Sequence, residues 1–184
     1  MDMITYILLL RGDIMGKIIQ IYTIQKEGKE MEKRELERGT LDAKDVALYF
    51  LSRESMSNKK LQKLCYYAQA WHYAFYDEGL FYQDVEAWVH GPVIKDVYNE
   101  YRNNKWKPIP KVQSPNLNED VLEFLDDVYN KYGEFDAEQL EILTHSELPW
   151  QEAREGLEEW EASNKPINPI TMSDYYWGKY EASN

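Results

Sequence analysis

Three histidines, one cysteine and a scatter of carboxylates are what this chain offers to acid–base, nucleophilic or metal chemistry. His145 and Glu147 lie two residues apart, beside Thr144 and ahead of Pro149. Imidazole titrates near neutral pH, so this pair is the best candidate for proton transfer in a hydrolase or transferase. Polar side chains at a helix break ordinarily satisfy loose backbone groups, and that reading is preferred for Thr144, His145 and Glu147. His72 falls on an apolar helical stripe, as a core or boundary residue does. His90 directly precedes Gly91-Pro92, where a side-chain bond can pin a turn. Cys65 shares the stripe of His72 and is expected to be buried and inert. No HExxH or CxxC spacing, nucleophile elbow or glycine-rich phosphate loop is present. The expectation is a protein that is not an enzyme, with no catalytic residues, no metal and no cofactor.

The elements that position these residues are mostly helical. Asp42 can cap a helix through Leu51 that presents Val46, Ala47 and Phe50 on one face. Ser57 or Asn58 can cap the next helix, an amphipathic one. Its stripe is Leu61, Leu64, Cys65, Ala68, Trp71, His72 and Phe75. That helix is expected to stop near Asp77-Glu78-Gly79, with Gly79 as its left-handed cap. Phe81 to Val89 reads as extended, and Pro92 suits the first turn of a helix through Tyr101. Asn118 opens a helix with the stripe Val121, Leu122, Leu125, Val128, Tyr129 and Tyr132, stopped by Gly133. Asp136 and Gln139 form a capping-box pattern before Leu140 and Leu143. Pro149-Trp150 starts a further helix. Thr171 and Asp174 are expected to cap a short aromatic helix through Tyr180. The fold class is therefore mainly α, with a small extended element near residues 80–90.

Residues 1–40 look different. Ile4 to Leu10 and Ile18 to Ile24 are β-prone runs that fit a hairpin, followed by a charged linker from Lys26 to Arg38. Met15 and Met31 are alternative starting points. This N-terminal extension, 1–40, is set apart from a helical domain over 41–184. Ile4 to Leu10 is too short to span a bilayer and lacks the flanks of a secretory signal. With one cysteine, no disulfide within the chain can form, so a cytoplasmic location is the simplest expectation.

Charge narrows the partners. The chain has 21 Lys/Arg against 33 Asp/Glu, a net −12. Residues 1–40 hold seven of each sign, so the acidic excess lies entirely beyond them. Such a surface repels phosphate backbones and suits a basic protein, which disfavours nucleic acid. With 15 Tyr and 6 Trp, there is material for aromatic anchors as well as for a core.

Three blocks carry a resemblance. Leu61-Gln62-Lys63-Leu64-Cys65-Tyr66-Tyr67-Ala68-Gln69-Ala70-Trp71-His72 is similar to the signature helix of the Panacea domain, found in SocA-like antitoxins and phage-associated GepA-like proteins. Glu86-Ala87-Trp88-Val89-His90-Gly91-Pro92-Val93 resembles its second block. Leu143-Thr144-His145-Ser146-Glu147-Leu148-Pro149-Trp150 resembles its third. The blocks occur in the family's order within 41–153. The resemblance implies an antitoxin that binds and neutralises a protein toxin encoded beside it. An alternative role is an adaptor that delivers the toxin to a AAA+ protease, or a phage regulatory interaction protein. It implies no catalytic residue, and its motif positions read as structural: Leu61, Lys63, Leu64, Tyr67, Trp71, His72, Glu86, Ala87, Trp88, Gly91, Pro92, Val93, Thr144, His145, Glu147, Pro149 and Trp150. Candidate partner contacts, chosen by residue type, are Lys59, Lys60, Lys63, Tyr66, Tyr73 and Tyr98. The crowded final helix adds Tyr175, Tyr176, Trp177 and Tyr180, which either seal the domain edge or anchor a partner. Lys59, Lys60 and Lys63 can instead pair with acidic side chains of the domain itself.

Overall fold

In the computed structural model, residues 36–105 and 107–183 are described. The expected hairpin, the alternative starts at Met15 and Met31, most of the charged linker and Trp106 lie outside them. Among the described residues there are seven α-helices, a short 3-10 helix at Arg102–Asn104 and one two-stranded antiparallel sheet. The helices are α1 (Ala43–Arg53), α2 (Asn58–Tyr76), α3 (Lys95–Tyr101), α4 (Glu119–Tyr132), α5 (Ala137–His145), α6 (Leu148–Ala153) and α7 (Pro169–Glu181). The strands are β1 (Glu86–Trp88) and β2 (Gly91–Val93).

Helix α2 is the axis of the molecule. It was expected to be amphipathic, yet every residue from Leu61 to Trp71 is buried. The reason is that neighbours cover all its sides: α1, α4, α5, α7 and β2 pack on it, α7 most extensively. Its polar residues are therefore interior and bonded. Gln69 accepts from the Leu80 and Phe81 amides at 2.8 and 3.1 Å and donates to the Phe81 carbonyl at 3.0 Å. Gln62 accepts from the Ile94 amide at 2.8 Å and donates to Asn58 at 3.0 Å. Each glutamine replaces a backbone partner for a connecting segment, as burial of amides demands.

The helix ends follow capping chemistry, with some reassignments. Asp42 caps α1 by accepting from the Lys44 amide at 2.9 Å, and Ser57 caps α2 by accepting from the Lys60 amide at 3.2 Å. Asp77, not Gly79, takes the left-handed cap at the end of α2, with φ 53°. Gly79 serves close approach instead, since a Cβ there would lie 2.8 Å from the Gly39 amide nitrogen. The extended element is shorter than expected, and Pro92 sits in β2 rather than in a helix. The register pairs Glu86 with Val93, Ala87 with Pro92 and Trp88 with Gly91. A two-stranded ribbon leaves a free edge, so a residue without an N–H is tolerated there. Helix α3 consequently starts at Lys95, and Val93 is a strand residue. The Asp136–Gln139 capping box forms as expected. Asn168 caps α7, accepting from the Ile170 amide at 2.9 Å, and displaces Thr171 and Asp174 from that role.

Candidate partner-binding surface

The three blocks converge on two interior junctions. At the first, the Lys63 ammonium of α2 donates to the Pro92 carbonyl at 3.2 Å. Gly91, at φ 94°, lies against that side chain: a Cβ there would stand 2.6 Å from Lys63 Cε and 3.0 Å from Thr144 Oγ1. Glycine is required on both counts. Lys63 is fully enclosed, and loss of hydration pushes its pKa down to about 7, with Glu141 opposing and Lys59 reinforcing the shift. At the second junction, Glu147 is buried and its carboxylate is fully engaged. Oε2 accepts from Tyr176 at 2.6 Å and Tyr67 at 3.3 Å, and Oε1 binds the Lys179 ammonium at 2.8 Å. Tyr67 stacks on Tyr132 at 3.8 Å, and the Trp71 indole donates to Tyr132 at 2.9 Å. Burial holds the Tyr66, Tyr67, Tyr132 and Tyr176 hydroxyls protonated, their pKa values raised above the ordinary tyrosine range. The Trp150 indole donates to the Trp88 carbonyl at 3.0 Å, tying the third block to the second.

These junctions correct several expected contacts. Lys63, Tyr66, Tyr73 and Tyr176 lie in the interior, where no partner can reach a folded domain's side chain. Lys59 and Lys60 are half-buried and paired within the domain. Lys59 bridges Glu138 at 3.0 Å and Glu141 at 2.6 Å, while Lys60 meets Glu54 at 2.5 Å and the Gly133 carbonyl at 2.6 Å. Tyr98 is half-buried edge-on to Trp88 at 4.9 Å. Tyr175, Trp177 and Tyr180 pack against the core, Tyr180 edge-on to Phe75 at 5.5 Å, and each keeps part of its side chain exposed.

The acid–base pair does not assemble. Glu147 faces the core with both oxygens engaged. His145 instead lies flat on Trp150, centroids 3.9 Å apart and planes at 12°. Burial lowers the His145 pKa, and its Nε2 is buried without a hydrogen-bond partner. His72 donates its Nδ1–H to the Glu78 carbonyl at 2.7 Å and packs edge-on to Phe124. Burial also pushes the Cys65 thiol up, away from the reactive thiolate.

What faces outward is a cleft of about 240 Å³ lined by Val89, His90, Glu141, His145, Glu159 and Trp160. Three elements build it. The turn between β1 and β2 supplies Val89 and His90, and α5 supplies Glu141 and His145 one turn apart. A turn after α6 supplies Glu159 and Trp160. His90 Nδ1 lies 2.9 Å from Glu141 Oε1, which fixes the hairpin turn to α5. Burial would raise the Glu141 pKa, but Lys59 and His90 together hold it below the ordinary carboxylate value. The last turn is pinned from beneath by Arg154, a buried residue. Its guanidinium donates to the carbonyls of Ala87 at 3.1 Å, Glu158 at 3.1 Å, Glu159 at 3.3 Å and Glu161 at 2.7 Å. Trp160 is thereby held at the rim, 77% exposed. Among the described residues, no three His, Cys, Asp or Glu side chains cluster as a metal ion would need. Nor is any described helix long and apolar enough to cross a membrane.

Glu141, Arg154, Glu159 and Trp160 escaped the sequence reading as a group. The available signal was Glu158-Glu159-Trp160-Glu161, a tryptophan inside an acidic run with no apolar stripe to join.

Comparison with curated proteins and with solved structures gave no match. Residues 61–151 match the family model described as antitoxin SocA-like, Panacea domain. That span begins in the buried helix α2, takes in both strands of the hairpin and ends in α6 just past Trp150. The chain thus carries a Panacea domain of the antitoxin SocA-like family.

Proposed function

We propose that this protein is an antitoxin that neutralises a protein toxin encoded beside it, by direct binding and with no bond made or broken. The observation that carries this reading is the family match over residues 61–151. The interior chemistry supports it. The groups most suited to catalysis are engaged structurally: Glu147 with two tyrosines and a lysine, and His145 with Trp150. The acidic surface supports a basic partner, since opposite charge accelerates encounter and fixes register.

Co-expression with the product of the neighbouring reading frame is the test. Growth rescue together with co-purification of the two proteins is expected. Failure of both refutes the reading. His145→Gln serves as a control against hydrolysis or group transfer: rescue persists in this variant if binding alone neutralises the toxin. Loss of rescue with an unchanged melting temperature would favour catalysis.

A further inference from the structure

The cleft beside Trp160 has the chemistry of a receptor for one cationic side chain. Its volume of about 240 Å³ falls short of the roughly 300–1,000 Å³ typical of small-molecule sites. A metabolite would be a poor fit, whereas a single long side chain suits the space. Glu141 and Glu159 give the walls carboxylates, and Trp160 gives the rim an aromatic face. A tryptophan 77% exposed leaves most of its apolar area in water, and covering it favours association.

The surrounding charge has one dominant sign. Glu138 and Glu141 on α5, with Glu155, Glu158, Glu159 and Glu161 around the last turn, outnumber the basic groups close to them: Lys59, the buried Lys63 and Arg154, and His90, which is bonded to Glu141. Lys59 is already shared between Glu138 and Glu141. Arg154 is buried and turned toward carbonyl oxygens, so it presents no cation to the cleft. The Glu159 carboxylate stands over that turn as a free acceptor edge, because Arg154 holds only its backbone carbonyl. A planar guanidinium can stack on an indole while donating a fork of N–H groups to a carboxylate, which an ammonium cannot do. Val89 adds an apolar wall to the cleft beside Trp160.

We infer that the Trp160 cleft is the toxin-recognition site, and that it receives an arginine side chain from a basic surface of the toxin, stacked on Trp160 and bonded to Glu159. This rests on the reading of the protein as a toxin-binding antitoxin. Discrimination against nucleic acid follows from the same carboxylates, which repel phosphate.

The experiment measures the affinity of the full chain for the purified product of the neighbouring reading frame, with Trp160→Ala and Glu159→Lys as variants. Both side chains are exposed, so both variants should keep the melting temperature of the wild type. Each is expected to weaken binding about thirtyfold or more, the range of a central anchor. Wild-type affinity in both variants overturns the inference while leaving the antitoxin reading intact. Trp160→Ala that alters only self-association of the chain also overturns it. If the wild type fails to bind that product at all, the antitoxin reading fails, and a second arm decides the cleft. In that arm an acetylated penta-arginine peptide is titrated against the labelled full chain by NMR. A shift of the Trp160 indole N–H that Glu159→Lys abolishes supports the site, and no shift at millimolar peptide overturns it.

Discussion

Lys63 stands in the middle of the family-like helix with its ammonium facing one carbonyl oxygen. The sequence suggested a surface cation beside Lys59 and Lys60, because the three share the start of a helix. The burial of Lys63 was not legible there: it depends on the hairpin folding over α2 and on Gly91 leaving room for Cε. Its lowered pKa has a definite sign in stability. Between about 7 and the ordinary lysine value of 10.5, the unfolded chain holds a proton that the folded chain lacks. Folding is therefore favoured increasingly as pH rises through that window. Lys63→Met should remove this contribution. Urea unfolding at pH 7, 8 and 9 should show wild-type stability rising relative to the variant. Parallel pH profiles would mean that Lys63 stays charged and hydrated in the fold. The same limit applies to Tyr66 and Tyr73, whose type suits an interface but whose place in the interior is set by elements far away in sequence. The cleft residues were missed for the converse reason. Glu141, Glu159 and Trp160 are separated along the chain. The last two are brought to the hairpin by Arg154, which bonds the Ala87 carbonyl and three carbonyls of the last turn, and by the backbone bond from Ala87 to Lys165.

At the scale of elements, the patterns that depend on local chemistry were readable. The caps at Asp42 and Ser57 and the capping box at Asp136 need only neighbours in sequence, and all three form. The short β2 strand was not readable, because Gly-Pro punctuation fits a helix start as well as a ribbon edge. The amide of Ile94 held by Gln62 decides between them. The role of α7 was half visible: its aromatic residues suggested either closure or contact, and Tyr175, Trp177 and Tyr180 pack on the core while staying partly exposed. Glu147 connects that helix to α2. Glu147→Ala would leave the Tyr67 and Tyr176 hydroxyls buried without their acceptor. Each unsatisfied buried group costs about 1–3 kcal/mol, so a loss of about 2–4 kcal/mol is expected by chemical denaturation. Tyr176→Phe, which removes one bond and keeps the ring, should lose about 1 kcal/mol. A loss well under 1 kcal/mol for Glu147→Ala would show that water reaches this junction.

For the whole molecule, the net charge of −12 acts as a field rather than as a set of pairs. Association with the basic toxin proposed above should therefore depend on salt chiefly through the on-rate. Raising salt from about 50 mM to about 500 mM should slow association tenfold or more, with a smaller change in dissociation. An on-rate insensitive to salt would remove charge steering from the account. The Trp160 anchor should respond the opposite way, because stacking and burial govern how long the complex lasts.

The order of synthesis gives the buried Glu147 a temporal meaning. Its two strongest partners, Tyr176 and Lys179, belong to α7, which leaves the ribosome after every other described helix. Until then α2 has an uncovered flank and a carboxylate without its counterion. A nascent or clipped chain lacking α7 is thus a ready proteolysis substrate, and the supply of folded protein follows completed translation rather than its initiation.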